Sequence, residues 1–142
     1  MSLVVLFTGL SGAGKATLCQ ATQQQLLKKG IASTILDGDA FRERYCQDLG
    51  FSQQDRRENL RRMSREADRL SRRGSVVLLA AISPYRDIRA EIRAHHHAFI
   101  EVFVNAPLHV CESRDPKGLY KRARAGLIED FTGVSSPYEE PL

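Results

Sequence analysis

The stretch Leu3–Leu18, LVVLFTGLSGAGKATL, decides the fold. Its first five residues, Leu3, Val4, Val5, Leu6 and Phe7, make an apolar, β-branched and aromatic run that predicts a buried parallel strand. Gly9 follows, then four residues, then Gly14 and Lys15, and after them an amphipathic run that predicts a helix. That spacing between strand and helix is a phosphate-cradling loop. Gly9, Gly12 and Gly14 let the main chain turn its N–H groups inward around an anion. The new helix points its positive end at the same place. Lys15 adds a mobile point charge for the β and γ phosphates of a nucleoside triphosphate.

The pattern normally closes with Ser or Thr, whose hydroxyl ligates Mg²⁺, and here that position is Ala16. Thr17 comes next, but successive helical residues point about 100° apart, so its hydroxyl faces elsewhere. Mg²⁺ keeps several waters when bound, so a water can stand in for the hydroxyl. Weaker metal binding and a lower rate are expected. A loss of ~3 kcal/mol at the transition state is already roughly a hundredfold.

A chain of 142 residues supports one domain with a single core, and 42% hydrophobic with 27% charged residues is ordinary for a globular protein. No apolar run approaches the length of a membrane span, and no basic region precedes a cleavable apolar segment at the N-terminus. Cys19, Cys46 and Cys111 are scattered, odd in number and without metal-ligand spacing, which predicts reduced thiols and a cytoplasmic location. The net charge of +4 suits a small phosphorylated ligand. No aromatic-interleaved basic patch points to nucleic acid.

Further along, Cys19–Lys29 continues the first helix until Gly30, and Ile31–Leu36 predicts a second strand. It runs into Asp37-Gly38-Asp39, at the strand edge where open parallel sheets bind ligands. Asp-Gly is also a turn signal, but a phosphate loop nearby favours carboxylates serving Mg²⁺ and an attacking hydroxyl. Ser52 and Asp55 cap a long helix whose apolar stripe is Leu60, Met63, Ala67 and Leu70. Most of its eight arginines belong to a solvated face, while Arg56 and Asn59, at its start, are candidates to face a ligand. Ser75–Ile82 predicts a third strand ending at Ser83-Pro84, where the hydroxyl is either an N-cap or a neighbour of the transferred phosphate. His95-His96-His97 ends the next helix and diverges around its axis, so it does not converge on one metal. Ala98–Val104 predicts a fourth strand, and a helix around Cys111 leads into a basic, glycine-bearing tail that reads as a lid over residues 115–140.

The segments GLSGAGK, LDGD, LGFSQQDRRENLRRM, ISPYR, CESRDPKGLYKRARAG and FTGVSSPYEEP together resemble the adenylyl-sulfate kinase family, from about Leu3 to Pro141. The resemblance implies a three-layer α/β fold of the P-loop NTPase type, a parallel sheet with helices on both faces and the C-terminal lid. It implies transfer of the ATP γ-phosphate to the 3′-hydroxyl of adenosine 5′-phosphosulfate (APS), giving 3′-phosphoadenylyl sulfate (PAPS). Gly9, Leu10, Ser11, Gly12, Ala13, Gly14, Lys15, Ala16 and Thr17 would hold the ATP phosphates. Lys15, Asp37 and Ser83 would be catalytic, Asp37 also organising Mg²⁺, and Ser83 matching a serine linked in the family to a phosphoenzyme. Asp39, Arg42, Phe51, Arg56, Asn59, Ile82, Ser83, Lys117, Leu119 and Phe131 would bind APS, with Phe51 and Phe131 stacking on its adenine. Ala40 replaces the asparagine of the family's DGDN motif. The fifth strand and C-terminal helix usual in the family are not among the four strands visible here, and an exposed sheet edge predicts a homodimer. A degenerate nucleotide-binding or regulatory module is the rival, motivated by Ala16, Ala40 and the short C-terminus; a kinase for another small hydroxyl acceptor is a third reading.

Overall fold

A computed structural model describes residues 2–142. Its four strands, β1 (Leu3–Thr8), β2 (Ser33–Asp37), β3 (Val76–Ala80) and β4 (Phe99–Phe103), form one parallel sheet in the order β2-β3-β1-β4. The two central strands, β1 and β3, read as near-continuous apolar runs because both of their faces are covered, while the outer strands β2 (STILD) and β4 (FIEVF) carry polar residues and are only partly buried. Alternate residues divide between two cores. Val4, Leu6, Val77 and Leu79 pack under α2 (Gly38–Tyr45), α3 (Gln53–Ser71) and α4 (Arg86–His95), meeting Phe41, Leu60, Met63, Ile88 and Ile92. Val5, Phe7, Leu78 and Ala80 face α1 (Lys15–Lys28), α5 (Leu108–Arg114) and α6 (Leu119–Arg124), meeting Cys19, Cys111, Tyr120 and Phe131. The three-layer parallel α/β fold expected from the sequence is the one observed.

Several boundaries differ from the sequence reading, each for a local reason. Ile31 does not open β2; its N–H donates to Leu26 O at 2.9 Å and closes the end of α1. Asp37 ends β2 and is also the N-cap of α2, its Oδ2 accepting from Ala40 N at 3.1 Å. That capping creates a helix the apolar spacing does not announce. The tail also holds more structure than a loop. Asp115 Oδ1 and Oδ2 accept from the N–H groups of Tyr120 (2.9 Å) and Lys121 (3.1 Å) and start α6. Ser52 caps α3 as its sequence predicts, accepting from Asp55 N at 3.1 Å. Six of the arginines on and just beyond α3 find carboxylates: Arg57, Arg61, Arg62, Arg65, Arg69 and Arg72. They form the solvated face predicted for them.

His95, His96 and His97 lie at the N-terminal end of the strands, in a surface groove with Asp68 and Arg72. His96 bonds Ser64 Oγ at 2.8 Å and stacks on Phe99. Among the described residues no group of three His, Cys, Asp or Glu side chains could hold a metal ion.

Candidate active site

The C-terminal ends of β1, β2 and β3 bring the candidate residues to one edge of the sheet. Gly9 follows β1, where an added Cβ would lie 2.8 Å from Val104 O, so only glycine fits. Gly14 is the N-cap of α1 with φ 107° and offers no side-chain cap, and no acidic residue lies in the first turn. The amides of a 14-residue helix are therefore left open toward the loop. Lys15 folds back over this opening and donates to Gly9 O (3.0 Å) and Leu10 O (2.8 Å). Burial pulls its pKa down to about 8, with Asp39 nearby pulling the other way. Ala16 and Thr17 are exposed.

Two side chains from the tail hold this loop from behind. Tyr120 Oη donates to Ser11 O at 2.7 Å, and Arg114 Nη1 donates to Gly12 O at 3.1 Å. Neither figured among the residues expected from the sequence. They stand 109 and 102 positions from their partners, so only the fold brings them together.

Away from the loop, Arg42 of α2 lies over the Phe51 ring at 4.4 Å and donates to Gly50 O at 2.7 Å. Phe51 is 52% exposed, and its ring lies near the Arg56 guanidinium as well, at 5.6 Å. Arg56 is 8% exposed and joins two loops: its Nε donates to Phe51 O (2.8 Å), one terminal nitrogen to Thr132 Oγ1 (2.8 Å) and the other to Asp130 O. Burial lowers the pKa of Arg42 and Arg56, from so high a value that both keep their charge. Phe131, between the two residues Arg56 holds, is buried and meets Tyr120 edge-on with centroids 5.0 Å apart. A chain of contacts thus runs from the phosphate loop through Tyr120, Phe131 and Arg56 to Phe51 and Arg42.

The remaining candidates fall around this line. Lys117, at the start of the tail, pairs with Asp39 at the start of α2, which raises the lysine's pKa. Leu119 opens α6 and packs against the core beside Phe131. Asn59 is buried, its Nδ2 near Met63 Sδ at 4.0 Å and its Oδ1 without a partner. Ser83 has φ 47°, is 1% exposed, and its Oγ is likewise buried and unpartnered. Ile82 O accepts from Thr8 Oγ1 at 2.6 Å, and Thr8 Oγ1 is 2.8 Å from Tyr138 Oη. Arg89, 2% exposed, donates to Ser83 O and Glu139 O. Thr8, Arg89 and Tyr138 thereby fix the Ser83 backbone, and the sequence carries no local signal for them.

Asp37 fits a Mg²⁺ ion only as one carboxylate among waters and phosphates. It uses Oδ2 in the cap of α2, and Ala16 offers no hydroxyl.

The adenylylsulphate kinase family model matches residues 1–142. An adenylyl-sulfate kinase of Microcystis aeruginosa is 55% identical over 140 residues, covering 99% of this chain and 77% of the relative. The structure of the Mycobacterium tuberculosis APS kinase CysC in complex with AMPPNP and APS superposes with a TM-score of 0.95 at 50% identity, covering 99% of this chain and 83% of that one. The hexameric APS kinase from Thiobacillus denitrificans matches at a TM-score of 0.64 and 31% identity, covering 89% of this chain and 30% of that one.

Proposed function

This chain belongs to the adenylylsulphate kinase family, and from that premise we propose how its own residues transfer the ATP γ-phosphate to the 3′-hydroxyl of APS. The carrying observation is the uncapped start of α1 inside a glycine-lined loop, linked by direct contacts to a cluster of arginine and aromatic side chains.

ATP phosphates replace Gly9 O and Leu10 O as the partners of Lys15, whose charge then lies against the transferring group. The amides at the start of α1 hold the same oxygens. Asp37 orients the 3′-hydroxyl and accepts its proton. Asp37, together with waters and phosphate oxygens, would hold Mg²⁺, which would supply neutralisation of phosphate charge. On the acceptor side, Phe51 and Phe131 flank the adenine of APS. Arg42 and Arg56 offer planar forks to the phosphosulfate, and Asn59 and Ile82 line the same side. Asp39 and Lys117 release one another to meet substrate, and Leu119 backs the closing segment. Ser83, its Oγ enclosed and without a protein partner, is the third catalytic group and stands beside the transferred phosphate. A homodimer and a cytoplasmic location that keeps the three thiols reduced complete the proposal. Among the described residues no helix is long and apolar enough to cross a membrane.

The direct test is incubation with MgATP and APS and chromatographic detection of PAPS. Product is expected, and Ala16→Ser raises kcat about tenfold, since ~1.4 kcal/mol of metal positioning is restored. No PAPS from the parent chain under conditions where Ala16→Ser turns over would show a binding module instead.

A second expectation follows from Lys15. Its pKa of about 8 rises when phosphate replaces the carbonyls, so above pH 8 binding takes up a proton. Affinity for MgADP therefore falls as the pH climbs past 8, by up to about tenfold per unit, and is flat with respect to this group below it. Calorimetric titrations on either side of that pH read the slope, which Lys15→Met removes.

A further inference from the structure

Tyr120 touches both halves of the site without belonging to either. It is 1% exposed, with its hydroxyl on Ser11 O at 2.7 Å and its ring edge-on to Phe131 at 82°. Its backbone is held as well, because Asp115, itself in the left-handed region at φ 27°, accepts from Tyr120 N at 2.9 Å. In a trans peptide the C=O and the following N–H point opposite ways. Anchoring Ser11 O on Tyr120 therefore turns the Gly12 N–H to the other side, toward the loop's anion. On the acceptor side, Phe131 lies between Asp130 and Thr132, the two residues tied to Arg56.

We infer that Tyr120 is a positioning residue that couples the two substrate sites, so that nucleotide in the phosphate loop tightens APS binding through the Ser11–Tyr120–Phe131 contacts. This rests on the functional reading above. Phosphate oxygens in the loop fix the Ser11–Gly12 peptide. That peptide fixes the tyrosine hydroxyl, and the ring fixes Phe131 and the loop Arg56 grips. Ordering already completed by the first ligand is not required of the second. The ring sits in the core cluster with Cys111, Ala123 and Phe131, so it has little room to absorb a shift of Ser11 locally.

The experiment is calorimetric titration of APS into the full chain with and without saturating MgADP, for the parent, Tyr120→Phe and Phe131→Leu. In the parent, MgADP lowers the Kd for APS by about fivefold or more. Tyr120→Phe keeps the ring and deletes one buried hydrogen bond. MgADP alone binds about fivefold more weakly, APS alone binds within about twofold of the parent, and the coupling ratio falls to near one. A merely structural tyrosine would leave that ratio unchanged. Phe131→Leu tests the other end even if Tyr120→Phe fails to fold: MgADP affinity stays, APS alone binds more weakly because Phe131 also flanks its adenine, and the ratio of APS affinities with and without MgADP falls to near one. Parental coupling in either variant overturns the inference, as does a parent that binds both ligands independently. A parent that binds neither ligand overturns the functional reading and the relay together, which separates the two failures.

Discussion

Replacing Lys15 by alanine lowers kcat/KM for APS phosphorylation by about a thousandfold, the upper range for loss of one preorganised charge at a transition state. The effect falls on kcat more than on the KM for ATP, because the helix-start amides still hold the ground-state phosphates while negative charge on the transferring group goes unanswered. Among the described residues no other lysine side chain donates to the phosphate loop: Arg114 reaches Gly12 O, and Lys117 is engaged by Asp39. Steady-state kinetics on the purified variant check this. A loss below about tenfold would place the transition-state charge elsewhere.

The second large effect is at Arg56. Arg56→Lys keeps the positive charge and loses the fork that reaches Phe51 O, Thr132 Oγ1 and Asp130 O together. An ammonium on a flexible stem satisfies one of these at best, and each charge-assisted bond lost is worth ~1.5–3 kcal/mol. The loops bearing Phe51 and Phe131 then drift apart. The KM for APS rises about a hundredfold, the equivalent of ~3 kcal/mol, while the KM for ATP stays within about twofold. Because Arg56 is 8% exposed, some stability is lost with it; the split between the two KM values is what a general loss of folding would not reproduce. Equal changes in both would deny Arg56 its place on the acceptor side.

These two residues also mark how far the sequence can be read. Lys15 is legible because everything that defines its role is local: an apolar strand, a glycine spacing and a helix within sixteen residues of chain. The Ser52 cap is legible for the same reason. Arg56 is legible as a ligand-facing candidate, yet its partners lie 74 and 76 residues away, so the sequence hides that it staples two loops. Tyr120, Arg114, Arg89 and Tyr138 carry no short-range pattern, and their contacts exist only once β1, α5, α6 and the tail are folded together. Helix α2 is hidden differently. Asp37 does two jobs, ending a strand and capping a helix, and an Asp-Gly pair looks like a turn until its oxygen is seen on Ala40 N.

Lys15 and Lys117 are both occupied at rest, Lys15 by carbonyls of its own loop and Lys117 by a carboxylate at the start of α2. An arriving polyphosphate therefore finds neither lysine bare; it must take each one from a partner already in place. Entry is an exchange, and so is departure, since those same partners stand ready to reclaim the lysines as the spent nucleotide leaves. A site arranged in this way sacrifices some grip for quick emptying, the quality that repeated turnover requires.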